Sequence, residues 1–204
     1  MLINKLVQKL QSQTPLQTYQ ALKLLATEIP LPLNLQQENL IDAAVLIPVI
    51  IYEQSASILL TVRSQQLYHH AGQISFPGGK LDLNEEPLTG VLRETEEEIG
   101  LKANQINIIA PLGKWPSYSG YLIQPFLGLI PAPIVSMPCK HEVDEIFELP
   151  LNIAFNTERY HRTQVTSPQP RQFYELIFDN KRIWGFTAAI LLLLANYSRR
   201  IEMK

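Results

Sequence analysis

Ala43 to Tyr52 reads AAVLIPVIIY, a run without a single charge. An apolar run rich in β-branched side chains that does not alternate with polar ones needs cover on both faces. That predicts a strand buried inside a sheet with a layer on either side. Pro48 is out of place there, because it removes a ladder hydrogen bond. Ser57 to Arg63 (SILLTVR) reads as a second strand, with Glu53 to Ser55 as the turn between the two. Further strands are expected over residues 73–76, 106–112, 122–130 and 143–149, and a hairpin over 173–178 and 181–184 around Asp179-Asn180. Helical spacing appears at Ile3, Leu6, Val7 and Leu10, again over 18–29 ahead of Pro30 and Pro32, and over the strongly apolar 186–200. Strands and helices alternate irregularly, which predicts an α/β fold: a mixed sheet covered by helices on both faces.

Length and charge narrow the possibilities. With 204 residues, 46% hydrophobic, the chain can bury a real core, and disorder is excluded. The formal net charge of −2 excludes a polyanion coat, so no nucleic-acid partner is expected. The longest apolar run, Ala188 to Ala195, is far short of the ~18 residues that span a bilayer, and the N-terminus lacks the apolar stretch of a signal peptide. With the single Cys139, these features predict a cytoplasmic protein with no membrane partner and no internal disulfide.

The near-neutral total hides a dense acidic block. Asp82, Glu85, Glu86, Glu94, Glu96, Glu97 and Glu98 place seven of the 19 acids between positions 82 and 98. Pro77-Gly78-Gly79 breaks the chain sharply ahead of this block. Pro87 suits the first turn of a helix, and Gly100 suits the position just past its end. On that helix Leu88, Val91, Leu92, Thr95 and Ile99 share an apolar face. Glu94, Glu97 and Glu98, at i, i+3 and i+4, gather on another, and Glu96 points to solvent. Arg93, four residues before Glu97, can brace it. Adjacent carboxylates repel, and the C-terminal end of a helix disfavours anions. A divalent cation relieves both, and oxygen-only ligands call for a hard ion such as Mg²⁺, Mn²⁺ or Ca²⁺.

The same residues carry a family resemblance. Gly79, five residues, Glu85, seven residues, then Arg93-Glu94-Thr95-Glu96-Glu97-Glu98-Ile99-Gly100-Leu101 resembles the Nudix box, with Thr95 where an aliphatic residue is usual. Ahead of it, Leu59 to Ser64 followed by Gly72, Ile74, Phe76, Pro77, Gly78 and Gly79 is similar to the motif of coenzyme A pyrophosphatases within that superfamily. Tyr68 stands where that motif carries an Arg, and Ile74 where Val is usual. Segments 142–147 and 183–188 also resemble this subfamily, so the likeness runs from about Ala43 to Leu194. It implies a Nudix-type α/β/α sandwich over residues 39–204, with residues 1–38 as a helical extension that caps the domain or makes a homodimer contact.

It further implies a metal-dependent hydrolase, using Mg²⁺ or Mn²⁺, that cuts the diphosphate of coenzyme A or acyl-coenzyme A into 3′,5′-ADP and 4′-phosphopantetheine. The alternatives are another nucleoside diphosphate derivative, such as ADP-ribose or a dinucleotide, or a module that senses a nucleotide without cutting it. By position in the box, the metal ligands are Glu94, Glu97 and Glu98, with the Gly79 carbonyl as a fourth. Arg93 holds Glu85 and Glu97 in place. The candidate catalytic base is Glu98 itself or Glu145, with Glu142 ranked after them. Arg63, Lys80, Gly78 and position 68 are the candidate substrate contacts, and His69 and His70 lie close by. Trp115 and Tyr118 either stack on a base or pack on their own domain. Trp184 is expected in the core.

Overall fold

The computed structural model describes residues 2–33, 40–165 and 171–203. The apolar run forms strand β1 (Ile41–Ile51) at the heart of an eight-stranded mixed sheet. It pairs along its whole length, in parallel, with β7 (Tyr121–Pro131), and on its other edge antiparallel with β2 (Ala56–Arg63). The short strands β3 (Ile74–Ser75) and β4 (Gly78–Lys80) pair with β2 and β1, and β5 (Asn107–Pro111) and β6 (Trp115–Pro116) pair with β7. The final strand of this sheet, β8 (Val143–Pro150), lies antiparallel to β2. Pro48 has a physical explanation here. On that edge, β1 pairs with β4 through Ala43 to Val45 and with β2 through Val49 to Ile51, and the proline stands in the gap between them.

Both faces of β1 are buried, as the run demanded. Ala44, Leu46 and Ile50 pack with Val91 and Ile99 of helix α3 (Pro87–Ile99). Ile47 and Val49 pack into a larger core with helices α1 (Leu2–Gln11), α2 (Pro15–Ala26) and α5 (Gly185–Glu202). A short helix, α4 (Leu151–Ala154), joins that core. No helix among the described residues is long and apolar enough to cross a membrane.

Three sequence expectations change. The glycine turn after Pro77 is a strand: Gly78, Gly79 and Lys80 run antiparallel to Val45, Ala44 and Ala43. The expected hairpin, β10 (Arg171–Phe178) with β11 (Lys181–Trp184), gains a third strand, β9 (Tyr160–Val165), and forms a second sheet. The second helix begins at Pro15, because Thr14 and Gln17 form a reciprocal capping box there. The break at 38/39 lies outside the described residues, but the helices before it belong to the main core. Ile3, Leu6, Leu10 and Leu22 are fully buried, and Tyr19 meets Trp115 edge-on at 5.3 Å.

Because α1 is core, Leu6→Ala is expected to lower the stability of the whole domain by about 2–5 kcal/mol. Urea unfolding followed by circular dichroism is the check. An unchanged midpoint would mean that α1 is not part of the cooperative unit.

Candidate active site

The site is built where α3 meets β4. Helix α3 starts at Pro87 and ends with Gly100 at φ 73°, whose N–H bonds to the Glu96 carbonyl, as the sequence pattern predicts. Thr95, at the position where an aliphatic residue is usual, is fully buried. Its hydroxyl is satisfied by donating to the Val91 carbonyl at 2.6 Å.

Absent side chains let the helix approach the strand. A Cβ on Gly79 would lie 2.5 Å from Glu94 Oε2, so the Glu94 carboxylate rests on bare backbone. Gly78 sits at φ 132°, where a Cβ would be 2.7 Å from the Val45 Cα. The Gly78 N–H donates to Glu98 Oε2 at 2.9 Å.

Arg93 organises the carboxylates around it. Its guanidinium grips both oxygens of Glu85 at 2.9 Å and also reaches Glu94 Oε1 at 2.8 Å and Glu97 Oε2 at 2.9 Å. The grip, together with the Asp82 N–H, holds the Glu85 carboxyl down at about 2, and it raises the guanidinium further. Glu98 behaves in the opposite way. It is 3% exposed, and burial lifts it to about 7 despite the Gly78 N–H and Arg63, with the charges of Glu94 and Glu142 adding to the rise. Glu94 is raised as well, burial again being the main cause.

These groups form one end of a cavity of about 920 Å³. Glu94, Glu98, Arg63, Lys80, Gly78 and Gly79 all line it, and so does Glu142. Arg63 Nη1 stands 3.7 Å from Glu98 Oε1. Its buried Nε has no hydrogen-bond partner among the described residues, so a donor is aimed with nothing to receive it. Glu142 arrives through backbone ties. The Met137 and Cys139 N–H groups donate to the Ile99 and Glu98 carbonyls at the end of α3, and the Ser64 N–H donates to the Glu142 carbonyl.

Other sequence candidates stand elsewhere. Glu145 is paired with Lys181 at 3.0 Å and lines a separate, smaller cavity with Val62 and Trp184. Glu145 lies within β8, whereas Glu142 stands in the turn ahead of that strand, so nearness in sequence does not bring the two to the same place. Tyr68 is 94% exposed, edge-on to His69, and outside the main cavity, whereas His70 lines it. Glu97 is exposed, unlike Glu94 and Glu98, and pairs with Arg93. Trp184 is only half-buried: it forms cavity wall, with its ring 5.3 Å from Phe173. Trp115 is fully buried and donates to the Leu112 carbonyl, so it packs on its own domain, while Tyr118 lines the cavity with Arg171 over its ring.

The donor set suits a hard cation: carboxylate oxygens, one of them buried and poorly neutralised. The rotamers described do not converge on one. Among the described residues no three His, Cys, Asp or Glu side chains are placed to share an ion, because Arg93 draws Glu94 and Glu97 to itself while Glu98 turns inward.

Residues 42–164 match the model of the Nudix domain. Over 155 residues the chain is 40% identical to the uncharacterized Nudix hydrolase NudL of Yersinia pestis (strain Pestoides F), which covers 75% of this chain and 77% of that protein. NudL of Yersinia pseudotuberculosis serotype O:1b (strain IP 31758) matches to the same extent. Two solved structures share the fold. The MutT protein from Methanosarcina mazei Go1 has a TM-score of 0.51 at 16% identity, over 78% of this chain and 94% of that one. A MutT/nudix family protein from Enterococcus faecalis has a TM-score of 0.50 at 15% identity, over 83% and 65%.

The buried Glu98 makes stability pH-dependent. Its folded value, about 7, lies above its ordinary 4.5, so its contribution is full below pH 4.5 and is lost as pH rises through 7. The loss amounts to about 3 kcal/mol. In EDTA, the melting temperature is expected to fall between pH 5 and 8, and Glu98→Gln, which keeps an acceptor for Gly78, is expected to flatten that fall. Parallel pH profiles for the two proteins would contradict the assignment.

Proposed function

We propose a substrate on the premise that this chain belongs to the Nudix hydrolase family: it hydrolyses the diphosphate bond of coenzyme A or an acyl-coenzyme A. The observation that supports this reading is a coincidence of place. The Nudix box and the stretch similar to the coenzyme A pyrophosphatase motif meet at Gly79, and the parts far from that junction, Glu94 and Glu98 of the one and Arg63 of the other, line a single cavity together with Phe76 and Gly78.

In the reaction a water oxygen bonds to one phosphorus, the bridging P–O bond breaks, and the bridging oxygen leaves on the other phosphate. The products are 3′,5′-ADP and the (acyl-)4′-phosphopantetheine. Arg63, with its unpartnered Nε, and Lys80 meet phosphate oxygens. Glu98 is the proposed acceptor of the water's proton, since burial raises its basicity toward neutral pH. Glu142 lines the same cavity and is the second candidate, in place of Glu145, which does not line it and pairs with Lys181. Arg93 positions Glu85, Glu94 and Glu97.

A divalent cation, Mg²⁺ or Mn²⁺, would be held by Glu94, Glu97 and Glu98 with the Gly79 carbonyl, and would supply charge neutralisation of the diphosphate and a more acidic water. Arg93 takes one oxygen of Glu94 and one of Glu97, so their second oxygens are the ones that would face the ion.

Incubation of the purified protein with coenzyme A and Mg²⁺ or Mn²⁺ is expected to yield 3′,5′-ADP, resolved by chromatography. Turnover of ADP-ribose or a dinucleotide, with coenzyme A untouched, would replace the substrate. Glu97→Gln is expected to lower turnover at least tenfold, about 1.4 kcal/mol of barrier. A smaller loss would remove Glu97 from the ligand set.

A further inference from the structure

His70 lines the main cavity with Arg63, Glu94 and Glu98. It stands at φ 59°, a left-handed conformation that glycine takes freely and that Asn and Asp tolerate through short polar side chains that bond locally. The other positive φ values at non-glycine positions among the described residues belong to Asn84, Asp179 and Asn180. The backbone gives no reason for a histidine here, and a conformation of this kind beside a cavity points to the side chain. The ring is held in place. Its Nδ1 bonds to Gln73 Oε1 at 2.9 Å, across a turn that the Gln73 N–H closes onto the His70 carbonyl at 3.2 Å. That turn is anchored on Arg63, whose N–H donates to the Gln73 carbonyl at 2.9 Å and whose carbonyl accepts from the Gly72 N–H at 3.0 Å. Arg63 thus fixes the loop through its backbone while its side chain, with the unpartnered Nε, lines the cavity. His69, one residue earlier, stands outside the cavity and lies edge-on to Tyr68.

An amide oxygen only accepts, so Nδ1 carries a proton and Nε2 is the ring atom left for a ligand. We propose that His70 binds the diphosphate of the substrate, Nε2 donating to a phosphate oxygen beside Arg63, with Gln73 as the positioning residue that aims the ring. A ring that donates from both nitrogens is the imidazolium, and it adds a positive charge to those of Arg63 and Lys80 in the same cavity. The inference rests on the diphosphate of the reading above and not on coenzyme A, so it applies to any nucleoside diphosphate derivative that the protein cleaves. A contact made equally in the ground state and the transition state raises KM and leaves kcat alone when it is lost.

The test is kcat and KM for coenzyme A, ADP-ribose and a dinucleotide under one metal condition, in the wild type, His70→Gly, Gln73→Ala, their double variant and His69→Gln. Glycine takes φ 59° without strain, so His70→Gly removes the ring and spares the loop. It is expected to melt close to the wild type and to raise KM by about fivefold or more, with kcat changed less than about threefold. Gln73→Ala is expected to raise KM by a smaller factor and to add nothing to His70→Gly in the double variant, because it acts only through the ring. His69→Gln is expected to leave both constants unchanged. An unchanged KM in His70→Gly, a fall confined to kcat, or an equal rise in His69→Gln overturns the contact. Additive effects in the double variant overturn the role of Gln73, and if His70→Gly does not fold, an unchanged KM in Gln73→Ala overturns the proposal. Turnover of ADP-ribose or a dinucleotide with coenzyme A untouched replaces the substrate reading and leaves this test to run on the new substrate. If none of the three is cleaved, the substrate reading fails, and pyrophosphate binding with Mg²⁺, measured by calorimetry, decides: weaker binding in His70→Gly supports the contact, and equal binding or none in the wild type overturns it.

Discussion

Glu98 is a carboxylate in a buried place, held by the Gly78 N–H at 2.9 Å, with Arg63 at 3.7 Å. Burying a carboxylate is costly unless its charge is met, and here it is met only in part, which is why the group is driven up to about 7. Much of the local structure serves this arrangement. Gly78 and Gly79 carry no side chains, so the carboxylates of α3 come against β4 itself. β4 in turn is fixed by its pairing with β1, whose apolar residues hold both cores together. The loop that brings Glu142 to the same wall is tied to the Ile99 and Glu98 carbonyls, the last of α3. A helix end thus has its carbonyls capped and a cavity wall assembled by the same few hydrogen bonds.

Arg93 solves a different problem on the same helix. Four carboxylates, Glu85, Glu94, Glu97 and Glu98, lie close together, and all but Glu98 are tied directly to one guanidinium. Its planar fork satisfies Glu85 with two parallel bonds and still presents Nη1 to Glu94 and Glu97. A lysine could supply the charge but not this fixed set of directions. The acidic block is therefore stable as a folded object, while its most buried member is kept poorly neutralised.

How much of this was legible in the sequence depends on how local the cause is. Both ends of α3 were readable from Pro87 and Gly100, and the position of Arg93 relative to Glu97 followed from helical spacing, because each is a short-range effect. β1 was readable because its two buried faces leave an unbroken apolar run. β9 was not: in Tyr-His-Arg-Thr-Gln-Val only Tyr160 is buried, and the strand exists because β10 pairs with it. β4 was missed for the related reason that glycines give no pattern, and their strand is imposed by β1. Trp184 was expected inside because large aromatics usually are. It stands in the cavity wall because the second sheet turns that face outward, away from Leu176 and Ile183. Helices α1 and α2 lie outside the family's segment and so looked like an extension, yet their apolar stripe fills the same core as α5.

That last point bears on why a family match leaves the substrate open. The carboxylate wall comes from a segment defined by strong positional constraints: a glycine strand, an arginine and carboxylates at fixed helical offsets. The apolar lining is assembled by long-range packing, from Leu31 and Pro32 after α2, from Val45 and Ile123 of the first sheet, and from Phe173, Trp184 and Phe186, and any apolar or aromatic side chains of suitable size could build one. The first kind of constraint leaves a readable motif. The second leaves only composition. Two chains can therefore share the cutting machinery residue for residue and differ in everything that decides what is cut. In this chain that apolar lining is large and leaves no motif, whereas the carboxylate wall is written in the box residue by residue.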